Sequence, residues 1–300
     1  MVSAFSVVPE PSVPRHPAPA PSPQAVCGAP ARAYSWLLSL QCHGVCFGVR
    51  VNSRPLWNLV ARRAAEFIPG VQVNAGGRID CSYILTESAE GRPGIAVHSG
   101  RRLVARAVNR FEAFQALCSD VQLKLAELSP QAVFIHAGVV GWKGRAIILP
   151  GRTFSGKSTL VNELLRCGAT YYSDEYAVFE NGYVHPFPCP LHVRSRQGHA
   201  GRRIPATLLR AAIGFAPIPA GLILFLSFRA GSAWQVRHLS PGLGMLGLLR
   251  NAVAARARPA ETLRALSPAV LHAPAIRGRR GEAGLAADRI FELFDESWPA

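Results

Sequence analysis

A glycine-rich segment in the middle of the chain carries the residue types that hold nucleotide phosphates. Its residues fit the spacing G-x-x-x-x-G-K-[ST]. In that pattern, backbone N–H groups turn inward around phosphate oxygens, the lysine adds a positive charge, and the serine hydroxyl ligates Mg²⁺. We therefore predict a site for a nucleotide and Mg²⁺ formed by Gly151, Arg152, Thr153, Phe154, Ser155, Gly156, Lys157, Ser158 and Thr159.

The sequence on both sides of this glycine loop supports the prediction. A hydrophobic strand (146–149) precedes the loop, and a helix with one apolar side is predicted from Ser158 to Cys167, ending at Gly168. Lys157 is one of three lysines in a chain with 33 basic residues, and arginine is too bulky to follow the same path. A glycine turn without a ligand is the alternative.

Two acids and a histidine near the loop could act on the phosphate. Asp174 and Glu175 form an isolated pair, which we predict to lie in the middle of an apolar strand, ATYYSDEYAVFE. Neighbouring side chains of a strand point to opposite faces, so one carboxylate could reach the nucleotide. His136 lies in the strand before the loop. The alternatives are a solvated edge strand for the acids and a hydrogen-bonded core position for the histidine.

Composition divides the chain into three parts. Residues 1–32 are proline- and alanine-rich and are predicted to be disordered, residues 33–127 to form a small α/β module, and residues 128–300 to form the nucleotide-binding domain. Apolar spacing predicts a helix over 104–128 and another over 245–257. We expect no membrane span, because two prolines interrupt the longest uncharged run, 211–228, and we expect a cytoplasmic protein.

Charge and cysteine content restrict the partners. The formal net charge is +15, but the arginines are spread along the chain and no nucleic-acid-binding motif interleaves them with aromatic residues, so nucleic acid is not an expected partner. The seven cysteines are predicted to be reduced thiols. Four arginines could close over the phosphates, although a surface position is the alternative for each: Arg194, Arg196, Arg250 and Arg256.

The order of these segments resembles the catalytic domain of the bacterial HPr kinase/phosphorylases over about residues 130–260. The resemblance rests on His136-Ala-Gly-Val, on GRTFSGKS and on Ser173-Asp174-Glu175. With the segment HPFP (185–188), the chain is similar to HPr-kinase-related serine kinases of unassigned substrate. The resemblance implies an α/β fold: a P-loop HPr kinase/phosphoenolpyruvate carboxykinase-like catalytic domain with a mixed sheet, preceded by a small α/β N-terminal module.

The resemblance also implies a role for each site residue. Asp174 would be the base that takes the proton from an acceptor hydroxyl, and His136 would lie beside it and tune it. Glu175 and Ser158 would hold Mg²⁺. The sequence departs from the family at Thr159, where those enzymes have glutamate, and at Glu175, where they have aspartate.

The leading hypothesis is therefore an ATP-dependent kinase that transfers the γ-phosphate to a hydroxyl, a serine by the resemblance, of a small protein, a peptide or a metabolite. A homo-oligomer is expected, because the HPr kinases assemble into hexamers. A nucleotide-binding sensor or assembly module with little or no turnover is the alternative, and Thr159 favours it. Only the net charge favours a third hypothesis, a nucleic-acid-associated ATPase.

Overall fold

The computed structural model describes residues 36–73, 77–88, 94–151, 155–193 and 202–299. The tail predicted over 1–32 lies outside the described residues. The described residues belong to one compact unit, 32–300. None of the helices in these ranges has the length and apolar character needed to span a membrane.

The first half of the described chain is a six-stranded mixed sheet with two helices. Its strands run in the order β3-β1-β2-β4-β5-β6, with β2 and β4 parallel. The elements are β1 (Trp36–Cys42), β2 (Val45–Val51), α1 (Arg54–Phe67), β3 (Gln72–Val73), β4 (Cys81–Glu87), β5 (Ile95–Ser99), β6 (Arg102–Ala107) and α2 (Arg110–Leu128).

The prediction of a helix over 104–128 is wrong for its first residues and correct from Arg110 onward. Residues 102–107 form β6, which pairs with β5, and the helix begins at Arg110. The Asn109 side chain accepts a hydrogen bond from the backbone N–H of Glu112 at 2.9 Å, while the Glu112 carboxylate reaches back to the N–H of Val108 at 3.2 Å. These two bonds resemble a capping box and fix the start of the helix, although the apolar spacing runs on into the strand.

The second half is built on an eight-stranded mixed sheet with helices on both faces. Its elements are β7 (Val133–Trp142), β8 (Arg145–Pro150), α3 (Lys157–Arg166), β9 (Thr170–Ser173), β10 (Tyr176–Glu180), β11 (Tyr183–His185), β12 (Leu191–Val193), β13 (Arg202–Ile204), β14 (Ile218–Phe228), β15 (Gln235–Leu239), α4 (Pro241–Leu249), α5 (Pro259–His272), β16 (Ala275–Arg280) and α6 (Ala283–Ser297).

The strand order places three parallel strands together at the centre of this sheet. The order is β11-β10-β7-β8-β14-β16-β15, with β9 also on β7, and β12 and β13 form a separate hairpin. Strands β8, β14 and β16 are parallel, whereas β7 and β15 run antiparallel to their neighbours. The predicted mixed α/β class is therefore correct for the described residues. The carboxyl ends of the parallel strands meet at one edge, and the glycine loop follows β8 there.

Two apolar cores hold this sheet between its helices. One core contains Leu164 of α3 and Phe294 of α6, and the other contains Leu248 of α4 and Val270 of α5. A sheet covered on both faces explains why β8 and β14 are nearly continuous apolar runs. The helix predicted over 245–257 ends at Leu249, and the segment that follows it turns back to β7.

The two sheets share a buried core. Phe134, Tyr176 and Phe187 of the second half belong to the same apolar cluster as residues of α1, α2 and the first sheet. Phe134 packs edge-on against Phe187 at a ring-centroid distance of 5.7 Å. The separation of a module at 33–127 from a domain at 128–300 stays a prediction.

Candidate active site

The described part of the glycine loop joins β8 to α3. The backbone N–H of Gly151 donates to the carbonyl of His136 at 3.1 Å, which ends the pairing of β8 with β7. Gly156 stands before the first turn of α3 with φ of +84°, a conformation that favours glycine. The Lys157 ammonium donates to the carbonyl of Gly151 at 2.7 Å, across the loop. Residues Arg152, Thr153 and Phe154 lie outside the described residues.

This arrangement suits an anion. The first N–H groups of a helix have no partner inside it, and the helix dipole is positive at that end. Burial lowers the pKa of Lys157, while the nearby Asp174 and Glu175 carboxylates raise it. Ser158 follows in the first turn, and Thr159 is exposed on α3.

The acidic pair occupies a break between two strands, not the middle of one strand as predicted. β9 ends at Ser173 and β10 begins at Tyr176, and both pair with β7. The Ser173 hydroxyl accepts hydrogen bonds from the N–H groups of Glu175 at 3.3 Å and Tyr176 at 3.1 Å. This local turn explains the break between the two strands. The break is not evident in the sequence, because the apolar residues continue on both sides of it.

The Asp174 carboxyl is buried, with 3% of the residue exposed. Its Oδ2 atom accepts a hydrogen bond from the N–H of His192 at 3.3 Å, whereas no described group donates to Oδ1 in hydrogen-bonding geometry. Burial raises the pKa of Asp174 to about 7, opposed by the Ser158 hydroxyl and supported by the Glu175 charge. A carboxyl with that pKa exchanges protons near neutral pH, as a general base must.

His136 lies on β7, directly opposite Tyr176 of β10. Its imidazole is 4.8 Å from the Tyr176 ring centroid. Burial lowers the pKa of His136, Glu175 raises it and Lys157 lowers it further. The structure thus brings His136 together with Glu175 and Lys157, and its predicted action on Asp174 stays a prediction.

A buried arginine at the end of β16 is a part of the site that the sequence did not indicate. Arg280 is 3% exposed, and its Nη2 donates to the carbonyl of Gly156 at 2.8 Å. Its Nη1 donates to the carbonyl of Gly281 at 2.9 Å, and its guanidinium lies 5.3 Å from the Phe228 ring centroid. In the sequence, Arg280 belongs to a run of basic residues that is typical of a solvated surface.

The other predicted arginines are placed differently. Arg250 and Arg256 line a cavity of about 1040 Å³ that reaches Gly151 of the loop. Arg194 and Arg196 lie outside the described residues.

The described residues can supply oxygen ligands for Mg²⁺. This ion is held in phosphate-transfer sites by one or two carboxylates together with phosphate oxygens. The Ser158 hydroxyl and the half-buried Glu175 fit that donor set, and the buried Oδ1 of Asp174 beside them has no hydrogen-bond donor among the described groups. The described residues contain no cluster of three or more His, Cys, Asp or Glu residues that would bind a metal by themselves.

Comparisons with known proteins give little that bears on this site. No family model and no curated protein matches the chain. A solved structure that matches is the Hpr(Ser) kinase/phosphatase from Coxiella burnetii, with 14% sequence identity and a TM-score of 0.28, over 54% of this chain and 98% of that one. A similarity of that size supports no argument about function.

Proposed function

We propose that this protein is an ATP-dependent kinase that transfers the γ-phosphate to an acceptor hydroxyl, a serine or an equivalent alcohol. The observation that carries the proposal is the placement of Asp174. It is a buried carboxyl with a pKa of about 7, close to the Lys157 ammonium and the Ser158 hydroxyl at the start of α3. A phosphate-binding loop beside a carboxylate near neutral pKa provides both requirements of phosphoryl transfer to a hydroxyl.

Each residue has one task in this mechanism. The first turn of α3 and Lys157 bind the β- and γ-phosphates. Ser158 and Glu175 would hold Mg²⁺, which supplies positive charge to the phosphate oxygens when it is bound. Asp174 accepts the hydroxyl proton as the acceptor oxygen bonds to the γ-phosphorus. The bond from that phosphorus to the bridging oxygen breaks, and ADP carries away the electron pair.

Arg280 acts on the loop and not on the reacting atoms. Its hydrogen bond to the Gly156 carbonyl fixes the residue that precedes α3. The N–H groups of α3 therefore keep one direction before the nucleotide binds. Such preorganisation supports transition-state stabilisation, because the donors need not reorient during the reaction.

The experiment measures the transfer of labelled phosphate from γ-labelled ATP, with Mg²⁺ present, to the components of a lysate of the source cells. The labelled products are resolved by mass. Wild type should label an acceptor, and the rate should rise with pH as Asp174 loses its proton. Asp174→Asn should bind ATP and label nothing. Asp295→Asn, which removes an exposed carboxylate of α6, is the matched control and should label as wild type does. Full labelling by Asp174→Asn would remove Asp174 from the role of base.

A sensor or assembly module with little turnover is the second candidate function. Thr159 favours it, because an exposed threonine follows the loop serine, where the kinases that this sequence resembles carry glutamate. Tight ATP binding by wild type, without labelling of any lysate component and without hydrolysis, would support this function over the kinase.

A further inference from the structure

A cavity beside the glycine loop lies at the edge of the sheet where the parallel strands end. Its volume is about 1040 Å³, and it is lined by the carboxyl ends of the parallel strands β8, β14 and β16. Ligands of open α/β sheets bind in crevices outside these strand ends. The volume is near the upper end of the range for small-molecule sites, about 300–1,000 Å³.

The charged side chains that line the cavity in the described part of the chain are all positive. Three arginines line the cavity, Arg250, Arg256 and Arg277, and none of the lining residues that the structure describes is acidic. Within the described ranges, none of these three arginines is in an ion pair, whereas Arg63, Arg102 and Arg289 each pair with an acid. The cavity therefore brings together three arginines that no acid in the described part of the chain neutralises.

The rest of the lining strengthens this charge. Leu246 and Leu249 of α4 contribute apolar surface, and the Arg277 guanidinium lies 5.7 Å from the centroid of the Phe225 ring. Charged groups interact more strongly beside apolar surface than in open water. A planar guanidinium matches the geometry of a carboxylate or a phosphate, with which it forms two parallel hydrogen bonds.

The cavity and the glycine loop meet on the same strand. The N–H of His136 donates to the carbonyl of Asn251 in the cavity wall at 2.9 Å, and the carbonyl of His136 accepts from Gly151 at 3.1 Å. Gly151 itself lines the cavity. A ligand in the cavity would thus lie beside a nucleotide held by the loop.

We propose that this cavity binds the anionic group of the phosphate acceptor, and that the acceptor is a small organic acid with a hydroxyl and at least one carboxylate or phosphate. The inference rests on the proposed function, because it assigns the acceptor of the same reaction. Arg277 and Arg250 bind the anion, and the hydroxyl extends past Gly151 toward the loop.

The test is calorimetric titration of the full chain with ADP and Mg²⁺ already bound, so that the phosphate-binding loop is filled. The probes are malate, which offers carboxylates, and glycerol 3-phosphate, which offers a phosphate. At least one probe should bind wild type, and Arg277→Gln should weaken that binding about tenfold or more, as expected for a lost charge-assisted hydrogen bond. Arg264→Gln, on an exposed position of α5, makes the same charge change outside the cavity and should have no effect.

Three results would overturn the proposal. The first is a wild-type protein that binds neither probe. The second is an Arg277→Gln variant that loses ADP affinity by the same factor, because the cavity would then hold the nucleotide. The third is a protein that binds neither malate nor glycerol 3-phosphate but binds a serine peptide rich in aspartate. That result would indicate that the acceptor is a protein. Failure of the kinase proposal is separate, since it would appear as ATP binding by wild type without labelling of any acceptor and without hydrolysis, whether or not the small acids bind.

Discussion

The Arg280 guanidinium donates a hydrogen bond to the Gly156 carbonyl at 2.8 Å, joining the end of β16 to the residue that precedes α3. Burial lowers the pKa of Arg280, and Glu282 raises it. Because β16 is separated from the glycine loop by most of the second half of the chain, only the parallel sheet brings them together. The backbone position of Gly156 thus depends on the packing of a distant strand.

Removal of this contact should weaken both the fold and nucleotide binding. We expect Arg280→Ala to lower the free energy of unfolding by about 2 kcal/mol, because two carbonyl oxygens lose a charged donor. ATP affinity should also fall, since Gly156 is no longer held. Chemical denaturation and ATP titration measure the two effects. Arg279→Ala, at the exposed neighbouring position, is the control, and equal losses in both variants would contradict the role of Arg280.

Local patterns predicted the strand and the helix that flank the loop. The hairpin at Asn181-Gly182 and the helix α6 likewise depend on signals within a few residues. Asn181 and Gly182 have φ of 51° and 82°, as a two-residue hairpin turn requires. Such elements are determined by backbone preferences and apolar spacing, which the sequence displays directly.

The arginine contact and the break between β9 and β10 depend on tertiary structure. In the sequence, Arg280 is indistinguishable from the surface arginines near it. Its position at the loop follows only from the pairing of β16 with β14, in which Arg280 is opposite Phe228. The apolar residues around Asp174 predict one continuous strand. The turn that interrupts it depends on the hydroxyl of one residue, Ser173, which gives no recognisable pattern in the sequence. The sequence does not indicate the helix α5, because Pro268 lies inside it and proline normally argues against a helix interior.

A side chain at Gly156 should destabilise the protein. Alanine at φ of +84° is expected to cost about 1–2 kcal/mol from backbone strain alone. Its Cβ would also lie 2.7 Å from Arg280 Nη2. Gly231→Ala is the matched control, because Gly231 has φ of +68° and an added Cβ would meet nothing within 4 Å.

The difference between these two alanine variants isolates the contact with Arg280. We expect Gly156→Ala to lose more unfolding free energy than Gly231→Ala and, unlike the control, to lose ATP affinity. Thermal denaturation with and without ATP measures both quantities. If the two variants behave alike, the close approach of Arg280 has no energetic consequence.

A buried polar contact should stabilise the first sheet. The Tyr83 hydroxyl donates to Asp120 Oδ2 at 2.8 Å, and Arg102 donates to Oδ1 at 2.6 Å. Tyr83→Phe leaves a buried carboxylate oxygen without its donor, so we expect a loss of about 2 kcal/mol in unfolding free energy. Tyr183→Phe removes a hydroxyl at a residue that is 49% exposed and should change little. Similar values for both variants in urea denaturation would show that the contact is not stabilising.

The raised pKa of Asp174 predicts how stability depends on pH. Burial raises that pKa from 3.8 to about 7, so in this interval the folded protein binds a proton that the unfolded chain has released. The unfolding free energy therefore falls as pH rises from about 4 to about 7. Asparagine is neutral throughout, so Asp174→Asn lacks this contribution.

Asp174→Asn should consequently gain stability relative to wild type as pH rises, by about 2 kcal/mol between about pH 5 and about pH 8. The measurement is urea denaturation of both proteins without nucleotide or Mg²⁺, since either ligand would favour the ionised carboxylate. Other groups titrate equally in both proteins, so the difference between the two curves isolates Asp174. Asp295→Asn, at an exposed carboxylate, should follow wild type at every pH. A constant difference between Asp174→Asn and wild type would mean that Asp174 is already ionised in the folded protein, and the proton acceptor would then be sought at Glu175 or His136.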